Sequence, residues 1–464
     1  MCNDKRNRLV YTLAIIVFFI RVGSPLIDHL ILGDLVDRFY SDDSISYMIT
    51  AKSLAFDHKF NNMFGKSEII RTPGYPLLIV PGMLLDHPEL ITIFIQSILS
   101  CLTIFMIYKI SLEVFNNINA ALLSTFLASI DRVLLHYSYV LNSETLYTFI
   151  LTLFMYTIIL YFKNKQLRYI ILSSILLAMS IYVRPVGYYM PLVFVFSVFV
   201  YLIYKKELTK KIILHLLVFC MITCISVSLW QIRNFKTTGY SGFSAIEDVN
   251  FYYYNACSLM AEQNGISFQD MLNKLSISTF YYNTNEDIID AVNKSEGILF
   301  KDQAQAYKYI KHKAIRIILN DPLTYAKIHL KGMFNLLQDN WFPFETKWAL
   351  RNQPEDISGL TGLIMRKGIK GAISLLSKEQ PLLLMLYILY SLGVLLSYIG
   401  VMITVFNKRI DGVFVLTIVA VYIVIICGGI WGCARFRHPM LPSFYVLGGM
   451  GLLTIYNKIH KALN

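Results

Sequence analysis

The charged residues between Asp42 and Pro76 are the part of this sequence best suited to chemistry. An acidic pair, Asp42 and Asp43, is followed after an amphipathic stretch by Arg71, which precedes a Pro-Gly-Tyr-Pro turn. A carboxylate within hydrogen-bond reach can take the proton of an acceptor hydroxyl, and an arginine offers directed donors to a phosphate. These residue types favour group transfer from a phosphate-linked lipid at a membrane surface.

Further ionisable residues stand at the ends of long apolar runs. They are Glu144 in VLNSETLY, Arg184 in YVRPVGYYMP, Arg233 in WQIRNF, and Arg435 and Arg437 in ARFRHPMLP. Ionisable groups at membrane depth are costly, so their presence predicts a functional site. Tyr47 and Tyr75 lie in the same outer segment as Asp43 and suit the binding of a sugar ring at an interface.

The acids also have a structural interpretation. Asp42 and Asp43 could cap a helix, where they would favour its positive N-terminal end. Glu144 could be the first-turn acid of a membrane helix that starts near Asn142. Both interpretations remain open from the sequence.

The arginines and tyrosines have structural alternatives too. Arg184 and Arg233 could extend to lipid headgroups, and tyrosine is the normal residue of a membrane aromatic belt. Arg435 and Arg437 alternate along the chain, so at most one of them is expected to point into the site. Arg21 and the pair Asp131–Arg132 are interpreted as structural residues at the membrane edge.

The elements that must position these residues are membrane helices. The chain of 464 residues is 56% hydrophobic and 16% charged, with mean hydropathy +0.53, whereas a soluble domain carries about 25% charged residues. A membrane helix needs roughly 20 mostly apolar residues. Ten such runs occur, near 9–27, 89–111, 119–138, 145–162, 168–183, 186–204, 212–230, 381–406, 412–431 and 439–456. The predicted fold class is therefore an all-α polytopic membrane protein whose first run is not a cleaved signal.

The net charge of +12 is explained by topology. If the N-terminus is cytoplasmic, most of the excess lysine and arginine falls in short inner loops, as the positive-inside rule requires. Nucleic acid is therefore not expected as a partner. We expect a plasma (inner) membrane location, with both termini cytoplasmic and all the candidate site residues on the outer side.

The outer region 28–88 is too polar to span the membrane. Within it, the sequence SISYMITAKSLAF places Ile45, Met48 and Ile49 at helical spacing, which predicts a helix in the plane of the interface. A second interfacial helix is predicted after Pro76, because that apolar run is too short to cross.

The region 231–380 is long enough for a second outer unit. Its apolar residues recur with helical spacing around 301–337, which predicts a small, mainly helical domain. The predicted division is a membrane catalytic module at 1–230, an outer domain at 231–380 and terminal membrane helices at 381–464.

No cofactor site is evident in the sequence. The nine histidines lack metal-ligand spacing, Asp42–Asp43 is not a D-x-D pair, and there is no Walker loop. The seven cysteines lie mainly inside predicted spans and are interpreted as buried thiols rather than a disulfide framework. We expect neither a resident metal nor another cofactor, and a divalent ion that assists transfer is left open.

Taken in order, these motifs resemble the GT-C superfamily of polyprenyl-phosphate-sugar glycosyltransferases, in particular its family 39-like group. That group includes protein O-mannosyltransferases and the aminoarabinose transferase that modifies lipid A. The segments that carry the resemblance are DSISY from Asp43, RTPGYPLL from Arg71, NSETLY with Glu144, YVRPVGYYMP, WQIRNF and RFRHPMLP. They extend over nearly the whole chain.

The resemblance implies an outward-facing active site beside interfacial helices. By position, Asp43 is expected to activate the acceptor, Glu144 to be the second acid, and Arg71 to contact the lipid phosphate. Further contacts to the donor are expected from Arg184, Arg233 and one of Arg435 and Arg437. The implied activity is transfer of a sugar, with inversion, from a polyprenyl-phosphate carrier to an outer acceptor, which could be a lipid, a cell-surface glycan or a protein.

Two other function classes remain as alternatives. An O-antigen polymerase or ligase would use a diphosphate-linked glycan and should draw its arginines from one large outer loop. A transporter of lipid-linked glycans would place charges near the membrane midplane and usually shows paired repeats. The candidate charges of this chain instead come from separate segments on one face.

Overall fold

The computed structural model describes residues 16–23, 39–275, 288–300, 302–338, 359–379, 381–430 and 432–463. These residues are almost entirely helical or in turns, and within them the one extended pairing is a bridge between Asn61 and Ser67. The predicted all-α membrane fold class is confirmed.

The helices are numbered in chain order. The first outer segment contains α1 (Ser44–Lys52), a π-helical turn (Ser53–Asp57) and α2 (Gly74–Leu84). The first helical bundle contains α3 (Pro88–Phe115), α4 (Ile118–Ser129), α5 (Arg132–His136), α6 (Glu144–Asn164), α7 (Leu167–Val183), a 3-10 turn (Pro185–Gly187), α8 (Met190–Tyr204) and α9 (Lys210–Thr238).

A more polar region follows α9. It contains α10 (Ile246–Val249), a second π-helical segment (Asn250–Ala256), α11 (Cys257–Asn264), α12 (Phe268–Lys274), α13 (Ile288–Glu296), α14 (Gln303–Asn320) and α15 (Pro322–Gln338). The remaining helices are α16 (Gly359–Glu379), α17 (Pro381–Asn407), α18 (Asp411–Cys427), α19 (Ala434–Arg437), a 3-10 turn (His438–Met440) and α20 (Leu441–Leu463).

Six helical stretches in the described part of the chain are long and apolar enough to cross a membrane. They are α3, α6, α8 with its preceding turn, α9, α17 from Leu384, and α19 continued into α20. Shorter apolar helices are α2, α4, α7 and α18. Nine of the ten predicted spans thus coincide with apolar helices, and the run near 9–27 lies largely outside the described residues. The total of ten spans stays a prediction.

The run predicted as one span at 119–138 is interrupted. Helix α4 ends at Ser129, and the carboxylate of Asp131 accepts the backbone N–H of Leu134 at 2.8 Å, which starts α5. The second oxygen of Asp131 accepts the hydroxyls of Tyr390 and Tyr445 at 3.0 and 2.5 Å. Asp131 is therefore a buried junction between the first bundle and the C-terminal helices.

Helix α1 packs on the protein through small and polar side chains. Its buried residues are Ser44, Ser46, Tyr47, Thr50 and Ala51. Ile45 on α1 and Phe56 on the π-helical turn that follows are exposed instead. An apolar side that faces away from the protein fits the predicted interfacial helix, because that side can contact lipid while the polar side contacts the bundle.

The polar region after α9 has a hydrophobic cluster of its own, formed by residues of α10 to α14 together with Ile69 and Ile70. Two hydrogen bonds attach this region to the first outer segment. The N–H of Ala245 donates to the Ile69 carbonyl at 2.8 Å, and the hydroxyl of Ser244 donates to the Ile70 carbonyl at 2.5 Å. The polar region is thereby held next to Arg71. The predicted division at 230 and 380 stays a prediction.

Ion pairs connect the helices at the end of the bundle where α6 finishes. Lys163 contacts Glu113 at 2.5 Å, and Lys205 contacts Glu207 and Asp411 at 2.8 and 2.9 Å. We call this group the distal ion pairs. The candidate site residues lie at the opposite end of α6.

Candidate active site

Asp43 occupies the N-cap position of α1, but its side chain does not cap the helix. One carboxylate oxygen, Oδ1, accepts Nη2 of Arg71 at 2.5 Å, and the other, Oδ2, accepts Nη2 of Arg435. The capping interpretation of Asp43 is therefore wrong. The carboxylate instead joins two cations whose positions in the sequence are far apart.

Glu144 is the first residue of α6, and its side chain is 1% exposed. Its Oε1 accepts Nη1 of Arg184 at 2.5 Å and Nε of Arg435 at 2.5 Å. Glu144 is thus an ion-pair partner of two arginines, rather than only the first-turn acid of a span. Its second oxygen, the buried Oε2, has no hydrogen-bond donor among the described residues.

Arg435 is the centre of this arrangement. It donates through Nη2 to Asp43 and through Nε to Glu144, so one guanidinium bridges both carboxylates. Arg71 stands on the Asp43 side and Arg184 on the Glu144 side. We call these five residues the charge cluster, in which three guanidiniums face two carboxylates.

Neighbouring side chains hold the outer members of the cluster. Nε of Arg71 donates to Ser46 Oγ at 2.9 Å, and the guanidinium carbon lies 4.7 Å from the centre of the Tyr47 ring. The Tyr47 hydroxyl is 3.1 Å from Ser143 Oγ, which also accepts Arg184 at 3.2 Å. Tyr47 therefore connects the two sides of the cluster, as its predicted place near the site requires.

The electrostatics of Asp43 follow from this geometry. Burial alone raises the pKa of its carboxyl, but the charges and hydrogen bonds of Arg71 and Arg435 outweigh burial. The net effect holds the pKa of Asp43 well below its usual range, so the group is ionised at neutral pH. A carboxylate in this state is a weak base while both arginines remain bound to it.

Besides Tyr47, four predicted site residues lie outside the charge cluster. Asp42 is exposed beside it. Tyr75 is fully buried, where it packs edge-on against the Tyr47 ring at 4.8 Å and donates to Gln96 at 2.6 Å. Tyr75 therefore helps to hold the Tyr47 ring in place.

The other two are arginines bound to backbone carbonyls. The Arg233 guanidinium lies against both the Phe60 and the Trp230 ring and donates to the carbonyls of Glu68 and Phe60 at 2.6 and 3.1 Å. Arg437 donates to the Leu337 carbonyl at 3.1 Å. Both guanidiniums thus bind backbone carbonyls in the present conformation, and their predicted contact to the donor stays a prediction.

Several residues near the cluster were not predicted. Ser46 and Ser143 contact the arginines directly, and buried Glu68 accepts the N–H of Arg71 at 3.0 Å. Tyr254, on the second π-helical segment, has its pKa raised by burial and then by the charge of Asp43, so the phenol lies within electrostatic range of the cluster. Ser143 directly precedes Glu144 in the sequence, which is a usable signal, whereas nothing in the sequence singles out Tyr254.

The described part of the chain contains no group of three or more His, Cys, Asp and Glu side chains close enough to hold an ion. The polar donors at the charge cluster are guanidiniums and hydroxyls, which suit an anion rather than a cation.

Comparisons with known proteins agree with the geometry. Residues 71–230 match the profile of the family described as dolichyl-phosphate-mannose-protein mannosyltransferase. This segment contains Arg71, Glu144 and Arg184. A comparison with curated protein sequences finds no match.

Solved structures provide the fold. The archaeal oligosaccharyltransferase AglB from Archaeoglobus fulgidus, in complex with an inhibitory peptide and a dolichol-phosphate, has a TM-score of 0.53 at 13% identity, covering 98% of this chain and 51% of that one. A second structure of the Archaeoglobus fulgidus enzyme, with Zn and sulfate, gives 0.53 at 14% identity, covering 97% and 49%. The chain thus spans about half the length of these enzymes.

A further match is apo ArnT from Cupriavidus metallidurans, with a TM-score of 0.40 at 10% identity, covering 97% of this chain and 78% of that one. That score is too low to carry an argument by itself. The matched segment and the oligosaccharyltransferase-like helix arrangement confirm the predicted resemblance to GT-C glycosyltransferases: the chain is a polytopic membrane protein that is similar, over residues 71–230, to the protein O-mannosyltransferases.

Proposed function

We propose that the chain is an integral membrane glycosyltransferase. It takes a sugar from a polyprenyl-phosphate carrier and transfers it, with inversion, to an acceptor on the outer side of the plasma membrane, both termini being cytoplasmic. The observation that carries the proposal is the bridge of Arg435 between Asp43 and Glu144, flanked by Arg71 and Arg184.

The three guanidiniums of the cluster support an anionic donor. They face the carboxylates of Asp43 and Glu144, with the acidic side chains of Asp42 and Glu68 within electrostatic range, and they offer N–H donors that a phosphate can accept. Negative charge develops on the phosphate as the glycosidic bond breaks, and fixed guanidiniums stabilise that charge without reorganisation. Because the arginines supply this positive charge, the proposed transfer does not depend on a resident metal.

Binding of the donor would also prepare Asp43. A phosphate that accepts N–H groups of Arg71 and Arg435 competes with the Asp43 carboxylate for the same donors. As those donors turn to the phosphate, the pKa of Asp43 rises towards its ordinary value and the carboxylate becomes a better base. Asp43 then takes the proton of the acceptor hydroxyl, and the acceptor oxygen bonds to the anomeric carbon while the sugar–phosphate bond breaks.

Glu144 has a different role in this proposal. It keeps Arg184 and Arg435 in place through Oε1, and its Oε2 remains able to accept a hydrogen bond. An acceptor or sugar hydroxyl is the natural donor to that oxygen, since buried polar atoms are normally satisfied. The dolichol-phosphate in the matched archaeal oligosaccharyltransferase supports a polyprenyl carrier as the donor lipid.

The direct test uses purified protein in detergent with a panel of labelled polyprenyl-phosphate hexoses and pentoses, together with membrane glycolipid and glycan acceptors. Release of polyprenyl phosphate and formation of labelled product are measured. Asp43→Asn should reduce transfer by about 10²- to 10⁴-fold, the usual contribution of a general base. Asp57→Asn is the matched control, because Asp57 is exposed in the same outer segment.

Two results would count against the proposal. One is undiminished transfer by correctly folded Asp43→Asn protein. The other is movement of a lipid-linked glycan across sealed vesicles without any transfer in detergent, which would favour the transporter alternative.

A further inference from the structure

Helix α15 touches the chain just before Arg435 through backbone contact between glycines. A Cβ atom placed on Gly332 of α15 would lie 2.0 Å from the Gly429 carbonyl oxygen and 2.2 Å from that of Gly428. A Cβ on Gly432 would in turn lie 2.0 Å from the Gly332 carbonyl oxygen. Real Cβ atoms do not approach this closely, so the contact excludes any side chain at Gly332.

The same helix holds the chain just after Arg435. Nη1 of Arg437 donates to the carbonyls of Leu337 and Leu336 at 3.1 and 3.4 Å, at the C-terminal end of α15. A cation near the last described residues of α15 interacts favourably with its carbonyl groups and with the helix dipole. The Tyr398 hydroxyl donates to the Leu337 carbonyl as well, at 2.7 Å.

The N-terminal half of α15 connects this contact to the polar region. The Tyr325 hydroxyl donates to Asn255 Oδ1 at 3.1 Å, and the same oxygen would lie 3.1 Å from a Cβ on Gly429. His329 Nε2 lies 2.8 Å from the Ile425 carbonyl near the end of α18. The turn before Arg435 is therefore enclosed by α15 on one side and by the second π-helical segment on the other.

We propose that α15 is the positioning element for Arg435, with Gly332 and Arg437 as its positioning residues; this inference rests on the proposed function. Arg435 must reach Asp43 and Glu144 at the same time, which demands a defined backbone position. The chain is fixed by α15 on both sides of that residue, within seven positions before it and two after it. A displacement of about 1 Å at a reacting centre is enough to lower a rate by roughly 10²-fold.

The test compares Gly332→Ala with Gly393→Ala. Gly393 lies inside α17, where an added Cβ meets nothing within 4 Å, so it controls for the glycine-to-alanine change in a helix. We expect Gly332→Ala to lower kcat by about tenfold or more, because the turn must move and carry Arg435 with it. Gly393→Ala should match the wild type. Gly332→Ala should remain monodisperse but melt at a lower temperature, because the added methyl group forces the backbone of the turn to shift.

Two readouts separate positioning from general weakening. The acid limb of the kcat/KM profile should move to higher pH in Gly332→Ala, because withdrawal of Arg435 raises the pKa of Asp43. In an Arg435→Lys background the added Gly332→Ala change should cost less than about twofold, since interactions that act through one residue are not additive. The inference would be overturned if the rate losses of Arg435→Lys and Gly332→Ala multiply in the double variant. Wild-type activity of Gly332→Ala, or an acid limb at the wild-type pH, would overturn it as well.

The two proposals fail in different ways. If the wild type and Gly393→Ala both transfer sugar, the proposed function stands, and Gly332→Ala alone decides the inference. If the wild type transfers nothing, the proposed function fails, and binding of a polyprenyl phosphate to the purified variants becomes the deciding measurement. Weaker binding by Gly332→Ala than by Gly393→Ala would then support positioning of Arg435, and equal binding would refute it.

Discussion

The two ends of α6 carry ion-pair groups of different construction. At its first residue, the charge cluster uses three arginines, and its side chains are 1–24% exposed. At its far end, the distal ion pairs use lysines, with side chains 22–64% exposed. Both groups join several helices, but the charge cluster is the less exposed of the two and pairs its carboxylates with arginines rather than lysines.

This difference distinguishes a candidate substrate site from structural ion pairs. Exposed lysine–carboxylate pairs are screened and contribute about 0–1 kcal/mol, so the distal ion pairs need no ligand to account for them. Buried charges are costly to assemble, and arginine offers a planar set of donors that suits a phosphate. Three arginines gathered at one largely buried site are explained better by an anionic substrate than by stability.

The largest effect is expected from Arg435→Gln, because it removes the cation shared by both carboxylates. Breaking a buried ion pair costs about 3–5 kcal/mol, and loss of one charge-stabilising donor costs about 10²–10³-fold in rate. Chemical denaturation and the transfer assay measure both. Arg316→Gln on α14 is the exposed arginine control. An unchanged rate would show that the cluster is structural, like the distal ion pairs.

Glu144→Gln should have a smaller effect on stability and a large one on transfer. The amide keeps an acceptor for Arg184 and Arg435 but loses the negative charge, so we expect a fall in kcat of about 10²-fold, at the low end for an acid–base group. Steady-state kinetics check this. Glu262→Gln, at an exposed position of α11, should leave kcat unchanged; equal rates for both variants would remove Glu144 from the mechanism.

A pH shift is expected from Arg71→Gln. Arg71 contributes to the low pKa of Asp43, so its removal raises that pKa, and activity that needs ionised Asp43 is lost at a higher pH on the acid side. The acid limb of kcat/KM should therefore move upward, by about one pH unit for each 1.4 kcal/mol of lost interaction. An acid limb at the wild-type position would mean that Asp43 is not the titrating group.

Lys205→Gln in the distal ion pairs should change little. The expected loss of stability is under about 1 kcal/mol, because the pair is exposed and screened by salt. Transfer should stay within about twofold of the wild type, as for most changes far from a reacting centre. A larger fall in the rate would show that the distal ion pairs are coupled to the charge cluster through α6.

Treatment with EDTA is expected to have no effect on transfer. The guanidiniums of the charge cluster provide the positive charge that a metal would otherwise supply. The assay is run with and without chelator and again after addition of Mg²⁺ or Mn²⁺. Loss of activity in EDTA and its return with metal would contradict the arginine-based account.

The sequence predicts most of the helical framework because hydrophobic length directly determines membrane helices. It fails at 119–138, where Asp131 looked like an edge residue. The break there depends on a hydrogen bond to Leu134 and on the hydroxyls of Tyr390 and Tyr445, which belong to distant helices. Such partners are invisible to a local hydrophobicity pattern.

For the site, the sequence predicts which charged residues stand at the ends of apolar runs but not which of them meet. Asp43, Arg71, Glu144, Arg184 and Arg435 come together in the charge cluster. The alternate spacing of Arg435 and Arg437 predicted that at most one of them points into the site. It did not indicate which one.

Arg233 is an example of a residue whose partners could not be predicted from the sequence. It occupies a motif position that resembles a donor contact, and in the structure it donates to the carbonyls of Glu68 and Phe60. Its partners lie more than 160 residues away and are backbone atoms, which carry no residue-specific signal. The same reason explains why Arg437 could not be assigned to Leu336 and Leu337 in advance.

The charge cluster has a consequence for biosynthesis. Asp43, Arg71, Glu144 and Arg184 leave the ribosome well before Arg435, which is more than 250 residues further along. Until that residue is synthesised, each carboxylate has one guanidinium partner and the cation that bridges them is missing. Nascent chains therefore acquire the complete cluster only near the end of synthesis.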